Sequence, residues 1–267
     1  MTLPVDHLSD IEFRRTGDTS LHLDVYRPRD VDGPLPAVVY LHGGGWARGS
    51  RTDYARDRLV PVAAAGMAVV SASYRFSDVA VWPAQLDDAR AAVRYVIDHA
   101  AELDVDPARV GVWGASAGGH IATMLALDPE RPPITAAVAF HAPSDLVALQ
   151  TDARDPGAVV PPFAAGRPAP ATPPEARLVG ASAAGERLDA LRAASPVAQV
   201  RPDAVPLLLV TGNRDAMMPL AQAFRLVTRL ADAGVEHQLL IVDGATHEDP
   251  AFHSPAVLGA VHGWLTH

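Results

Sequence analysis

The chain is predicted to be an α/β protein in one domain, residues 1–267, with a mostly parallel central sheet, an antiparallel N-terminal hairpin and helices on both faces. Three observations predict it. Short apolar runs rich in Val, Leu and Ala recur from residue 37 to residue 242, helical patterns alternate with them, and two alternating runs precede them. Apolar runs without alternation mark strands buried on both faces, as parallel strands usually are. Strand–helix alternation implies crossover connections between parallel neighbours.

The elements follow in order. Asp10–Arg15 and Leu21–Tyr26 alternate with period two around the polar turn Gly17–Ser20 and read as the hairpin. Ala37–Leu41 is the first buried strand, and Met67–Ser71, Arg109–Trp113, Thr135–Phe140, Leu207–Thr211 and Gln238–Val242 are of the same kind. Pro83 opens a helix on which Leu86, Ala89, Val93, Val96, Ile97 and Ala100 share one face. Gly118–Leu127 reads as a helix that begins with small residues. Pro219 opens another helix with Ala223, Leu226, Val227 and Leu230 inward, and His253–Leu265 closes the chain. Residues 143–200 break the alternation with Pro156, Pro161, Pro162, Pro168, Pro170, Pro173 and Pro174. Such proline density forbids regular structure over much of the segment. A partly ordered, lid-like insertion is expected there, with a short helix within Ala181–Ala194.

Composition narrows the function. The 22 basic and 31 acidic side chains leave a net charge of −9 without any basic stripe, which argues against a nucleic-acid partner. No apolar stretch reaches the ~18 residues of a membrane span. Met1–His7 does not look like a secretory signal, so a cytoplasmic protein is expected. The absence of cysteine excludes thiolate zinc sites. His247, Glu248, Asp249 and His253 stand close in sequence, but such polar loop clusters usually hold no ion, and no metal is expected.

The chemistry is concentrated at the ends of the predicted strands, where ligands gather in open α/β sheets. Gly114-Ala115-Ser116-Ala117-Gly118 lies between a strand and a helix. A sharp reversal there strains the corner residue and exposes its side chain, which makes Ser116 a candidate nucleophile. A serine needs a base, usually an imidazole, and the imidazole needs a carboxylate to fix its tautomer. Asp215 follows one strand and His247 the next, completing the order Ser, Asp, His. Asp145 is the second choice of acid, and Asp243 reads as a surface turn residue. His42-Gly43-Gly44-Gly45-Trp46 follows the strand Ala37–Leu41, and its glycines let several N–H groups face one point. With the N–H of Ala117 they would form an oxyanion hole, whose donors are worth roughly 3–4 kcal/mol each in comparable sites.

Taken with Tyr74-Arg75, Trp82-Pro83-Ala84, Pro219 and Gly244-Ala245-Thr246-His247, these motifs resemble the α/β-hydrolase superfamily over residues 20–265. The branch they resemble holds small bacterial carboxylesterases related to hormone-sensitive lipase and to feruloyl or acetyl esterases. The resemblance implies the α/β-hydrolase fold and a triad of Ser116, Asp215 and His247. It also implies oxyanion donors at Gly44, Gly45 and Ala117, with Gly43 assisting, a small-molecule ester as partner, and no cofactor. Two departures stand out: Thr211-Gly212 replaces the usual His-Gly before the acid, and Met218-Pro219 the usual Val-Pro after it. The N-terminal helical cap of the lipase-like relatives is expected to be missing, so the lid role falls to residues 143–200.

Trp46, His141 and Met217 are candidate pocket residues, with Phe76 and Trp82 weaker ones. Arg75 and Asp87 are expected to form a structural pair, and His120 to serve packing or capping. A serine carboxylesterase acting on small or aromatic acyl esters is the leading expectation. An arylformamidase-like amide hydrolase and a non-catalytic ligand-binding receptor remain as rivals, and a homo-oligomer remains open.

Overall fold

The computed structural model describes residues 3–29, 31, 33–152, 160, 164–166, 171–183 and 185–267. The two alternating N-terminal runs pair antiparallel as β1 (Val5–Thr16) and β2 (Thr19–Pro28). The apolar runs become β3 (Leu35–Leu41), β4 (Ala68–Ala72), β5 (Val105–Ala115), β6 (Ala137–Phe140), β7 (Leu207–Gly212) and β8 (His237–Val242). These described strands form one sheet in the order β1-β2-β4-β3-β5-β6-β7-β8. β2 meets β4 antiparallel, and the pairings from β4–β3 to β7–β8 are parallel. Most strand boundaries shift by one or more residues from those expected. β5 lengthens at both ends, because its backbone ladder reaches past the apolar centre and Leu35 of β3 pairs with Val105.

Helical segments among the described residues are α1 (Val60–Ala63), α2 (Ala84–Asp98), α3 (Ala100–Leu103), α4 (Ala117–Leu127), α5 (Leu149–Asp152), α6 (Pro174–Leu178), α7 (Leu188–Ala193), α8 (Leu220–Asp232) and α9 (Pro255–Thr266). The period of two along each strand divides the core. Ala37, Val39 and Leu41 of β3 pack with Ala89 and Val93 of α2, Ile121 and Leu125 of α4, and Leu226 and Leu230 of α8. Val38 and Tyr40 pack on the other side with Val62 of α1 and with Val257, Val261 and Leu265 of α9. Every residue of α4 is buried, which is why its sequence is apolar all round rather than amphipathic. Full burial of a side chain such as Leu125 stabilises the fold by roughly 1.5–3 kcal/mol.

Several expectations need correction. Arg75 pairs with Asp88, not Asp87; its Nε lies 2.8 Å from Asp88 Oδ2 and its Nη2 2.9 Å from Oδ1. Neighbouring helix positions point about 100° apart, so Asp87 turns outward to Arg90, whose Nη1 donates to it at 2.8 Å. The expected closing helix divides into a tight turn at Pro250–His253 and α9, with the Ser254 side chain accepting from Val257 N at the junction. Within 143–200, Pro156, Pro161, Pro162, Pro168 and Pro170 lie outside the described residues. The helix expected within Ala181–Ala194 shrinks to α7 and is preceded by α6, because Gly180 and Gly185 take φ of +72° and +82° and break the helical path. Gln222 of α8 anchors the start of this segment, accepting from Ser144 N and Asp145 N at 2.8 Å each.

Two glycines test this packing in opposite directions. A Cβ on Gly118 would be driven into the carbonyl oxygens of Leu41 and His42, whereas one on Gly259 of α9 would meet nothing within 4 Å. Gly118→Ala should lower stability by about 2–3 kcal/mol. Gly259→Ala should raise it by roughly 0.5–1 kcal/mol through helix propensity. Urea unfolding of the two variants reads both, and equal midpoints would contradict the packing described.

Candidate active site

β5 reverses into α4 at Ser116, whose φ of 52° and ψ of −117° place a serine in a conformation usually left to glycine. Neighbours hold it there. Ser116 N donates to Phe140 O at 2.9 Å, tying the corner to β6, and His120 N donates to Ser116 O at 2.9 Å, opening the helix. The turn is sharp enough that a Cβ on Gly114 would strike the backbone of Gly118 and Gly119. The hydroxyl therefore stands at the carboxyl end of β5, and the Ala117 N–H beside it is the first amide of α4, with no acceptor inside the helix.

Two other strand ends supply its partners. His247 Nε2 lies 2.9 Å from Ser116 Oγ, and its Nδ1 lies 2.7 Å from Asp215 Oδ2. The other carboxylate oxygen, Asp215 Oδ1, accepts from the amides of Met217 and Met218 at 2.7 and 2.9 Å. The acid loop and the histidine loop are stitched together: Arg214 N donates to Ala245 O at 3.0 Å, and Gly244 N donates to Asn213 Oδ1 at 2.8 Å. Gly212 permits this approach, since a Cβ there would overlap Ala245. The chain's Thr211-Gly212 thus keeps the glycine that the geometry needs.

Burial sets the electrostatics. Ser116, Asp215 and His247 are all buried, at 8%, 2% and 4% exposure. Burial alone would push the Asp215 carboxyl up, but the facing His247, with His141 and the Met218 N–H, outweighs it and holds Asp215 below the ordinary carboxylate value. For His247, burial disfavours the charged ring, and the Asp215 carboxylate, joined by Glu248, more than offsets this and raises its pKa. A buried imidazole between a hydroxyl and an ionised carboxylate is equipped to accept the hydroxyl's proton.

The glycine loop after β3 lies alongside. A Cβ on Gly43 would come within 3.4 Å of Ser116 Cβ, which places the loop against the nucleophile corner. Gly44 and Gly45 take φ of +122° and +62°, which an L side chain rarely adopts. The loop is fixed from both ends. Tyr74 Oη donates to His42 O at 2.9 Å, and Trp46 Nε1 donates to His120 Nδ1 at 3.3 Å. His120 Nε2 then donates to Ala194 O at 2.7 Å. His120 therefore bridges the glycine loop, α4 and the insertion, and burial pushes its pKa down to about 4.

Other expected residues sit elsewhere. Trp46 is 2% exposed and packs in the core, its indole edge-on to the His120 ring at 5.1 Å. His141 is also covered, its ring lying edge-on to His247 at 4.5 Å and against Phe252 at 4.8 Å. Met217 is half-buried beside Asp215 and contributes its backbone N–H there. Asp145 caps its own turn, accepting from Val147 N and Ala148 N at 3.2 and 3.1 Å. Asp243 accepts from Asn213 Nδ2 at 2.7 Å on the surface.

Sequence reasoning missed a buried pair next to the site. Arg58, 0% exposed, donates to Glu248 Oε2 at 2.6 Å and to Tyr40 Oη at 2.7 Å. In Arg56-Asp57-Arg58 this arginine has the look of a solvated surface charge, and only its position over the aromatic rings of Tyr54 and Phe140 shows otherwise.

Comparison with known proteins places the geometry in a family. The BD-FAE family model matches residues 23–230. A probable carboxylic ester hydrolase, LipM of Mycobacterium tuberculosis, is 29% identical over 237 residues, covering 84% of this chain and 52% of that protein. Carboxylesterase NlhH of the same organism is 41% identical over 121 residues, covering 44% of this chain and 38% of that protein. The chain thus spans about half the length of LipM and less of NlhH. Among solved structures, a truncated carbohydrate esterase from gut microbiota superposes with a TM-score of 0.82 at 24% identity, over 98% of this chain and 95% of that one. An esterase from Pseudomonas putida superposes with a TM-score of 0.75 at 22% identity, over 98% and 81% of the respective chains. These superpositions establish the α/β-hydrolase fold. With the family match running over most of its length, the chain belongs to the BD-FAE family.

Proposed function

We propose that this chain is a serine carboxylesterase that hydrolyses small or aromatic acyl esters through an acyl-enzyme intermediate. The observation that carries this reading is the unbroken relay Ser116 Oγ–His247 Nε2 at 2.9 Å and His247 Nδ1–Asp215 Oδ2 at 2.7 Å. The names of the relatives, carboxylic ester hydrolase and carboxylesterase, support the same chemistry.

Ser116 Oγ attacks the ester carbonyl carbon while its proton passes to His247 Nε2. The carbonyl oxygen becomes an oxyanion facing the amides of Gly44, Gly45 and Ala117, and Asp215 stabilises the imidazolium. The tetrahedral intermediate collapses, the C–O bond to the alcohol breaks, and His247 returns the proton to the leaving oxygen. Water then attacks the acyl-serine with His247 again as base, releasing the acid and restoring the hydroxyl. The insertion contributes a wall: Pro174 of α6 would lie 3.5 Å from a Cβ on Gly45. An acidic chain disfavours polyanionic substrates, which leaves neutral esters as the expected class.

Turnover of p-nitrophenyl esters of increasing acyl length, with aromatic acyl esters and N-formylkynurenine alongside, tests the substrate class. Ester turnover should exceed formamide turnover, and the opposite ranking would make the chain an amide hydrolase. Ser116→Ala should lower kcat by at least roughly a thousandfold and abolish fluorophosphonate labelling, with residual turnover left to the oxyanion donors. Retained labelling would remove Ser116 as nucleophile.

The pH profile follows from the sign of the histidine shift. His247 must be neutral to accept a proton, and its pKa is raised. Activity should therefore be lost on acidification through a midpoint above the ordinary histidine value of about 6.5. Asp215→Asn should lower kcat by roughly 10⁴-fold by stabilising the wrong tautomer. A midpoint clearly below that value would contradict the pairing.

A further inference from the structure

Glu248 follows the proposed base directly, and its backbone is left-handed, with φ of 54°. That conformation costs a β-carbon residue free energy and persists only where its surroundings over-determine it. Here it lets two consecutive side chains diverge. His247 reaches Ser116 and Asp215, while Glu248 turns to Arg58 Nη2 at 2.6 Å. Arg58 is held in turn by Tyr40 Oη at 2.7 Å and His253 Nε2 at 2.9 Å.

The Glu248 carboxylate also borders the site. Its Oε2 lies 3.6 Å from Nε2 of His141, the ring packed on His247. Its Oε1 would lie 3.1 Å from a Cβ on Gly43 in the glycine loop. One largely buried anion in the base's own loop thus borders the ring behind the base and the loop proposed to hold the oxyanion. Stability is a poor explanation for such a pair, since a buried ion pair often stabilises no more than apolar residues of equal volume.

We propose that Glu248, anchored by Arg58, is a positioning residue for His247, fixing its loop against the glycine loop and supplying a second negative charge beside the imidazole. This rests on the reading of His247 as general base. Among the described residues, the charged and titratable groups around that ring include Asp215, Glu248, Arg58 and His141. Asp215 and Glu248 favour the imidazolium, and Arg58 opposes it. Burial pushes His141 down to about 3, so it stays neutral. Burial also opposes a charged Glu248, but Arg58 together with the His141 and His247 rings outweighs it and brings its pKa to about 2, so the anion is present at working pH.

Glu248→Gln keeps the shape and removes the charge. In the full chain, with p-nitrophenyl acetate, kcat should fall roughly 10- to 100-fold with KM within about twofold, the scale of a misplaced base. The acid limb of kcat/KM should move down by about half a pH unit, because one favourable charge is gone. Glu248→Asp keeps the anion on a shorter arm. Its acid limb should match the parent's while its kcat falls several-fold, and this variant carries the test if the glutamine variant does not fold. A lowered melting temperature in Glu248→Gln with kcat and acid limb both unchanged would overturn the proposal, as would parental kcat in Glu248→Asp. Fluorophosphonate labelling of the parent separates the two levels. A parent that labels and turns over, with unaltered variants, sinks only the positioning role. A parent that does neither sinks the serine esterase reading and this inference with it.

Discussion

The close approach of α4 to the end of β3 is the constraint on which the rest of the site depends. At Gly118 the helix backbone comes so near the carbonyls of Leu41 and His42 that no side chain fits between them. The contact forces the reversal after β5, and the reversal places Ser116 at φ 52°. It also delivers the glycine loop to the same point, because that loop begins at the residues against which Gly118 packs. The Ser116 corner and the amide-rich loop are therefore set by one backbone–backbone contact.

Further contacts bring the remaining groups to that point. Trp46 and His120 tie the glycine loop to α4, and Asn213 and Gly212 hold the acid loop against the histidine loop. The Arg58–Glu248 pair reaches behind both. Each contact joins segments far apart in the chain. Charge follows the same plan. Asp215 is a buried anion and Glu248 a largely buried one near the same imidazole, each with a hydrogen-bonded cationic or ionisable partner, as low dielectric requires.

Much of this was legible in the sequence, for particular reasons. The apolar runs identified the central strands because parallel strands are buried on both faces, and α4 and α8 followed from flanking glycines and proline. Ser116, Asp215 and His247 stood out because each follows a strand end, and the structure brings them within hydrogen-bonding distance of one another. Arg75 was paired one residue wrong, since sequence spacing does not show which of two adjacent helix positions faces inward. Trp46 stood in the glycine motif and His141 just past a strand end, and the sequence could not show that both are covered by neighbours from distant segments. Arg58 left no signal and Glu248 showed only as part of a polar cluster, because a buried charge and a solvated one look alike without the third dimension.

Local pattern along the chain was enough for the number and kind of the strands, the principal helices, the order of the strand-end residues and the sharp corner at Ser116. These depend on local propensity, side-chain period and the steric freedom of glycine, all properties of short segments. Only the tertiary structure decided which charges are buried, which aromatic rings pack inward and which anion stands behind the imidazole. Those depend on contacts between residues such as Arg58 and Glu248, 190 positions apart, whose energies arise from desolvation and proximity that exist only once the sheet has assembled.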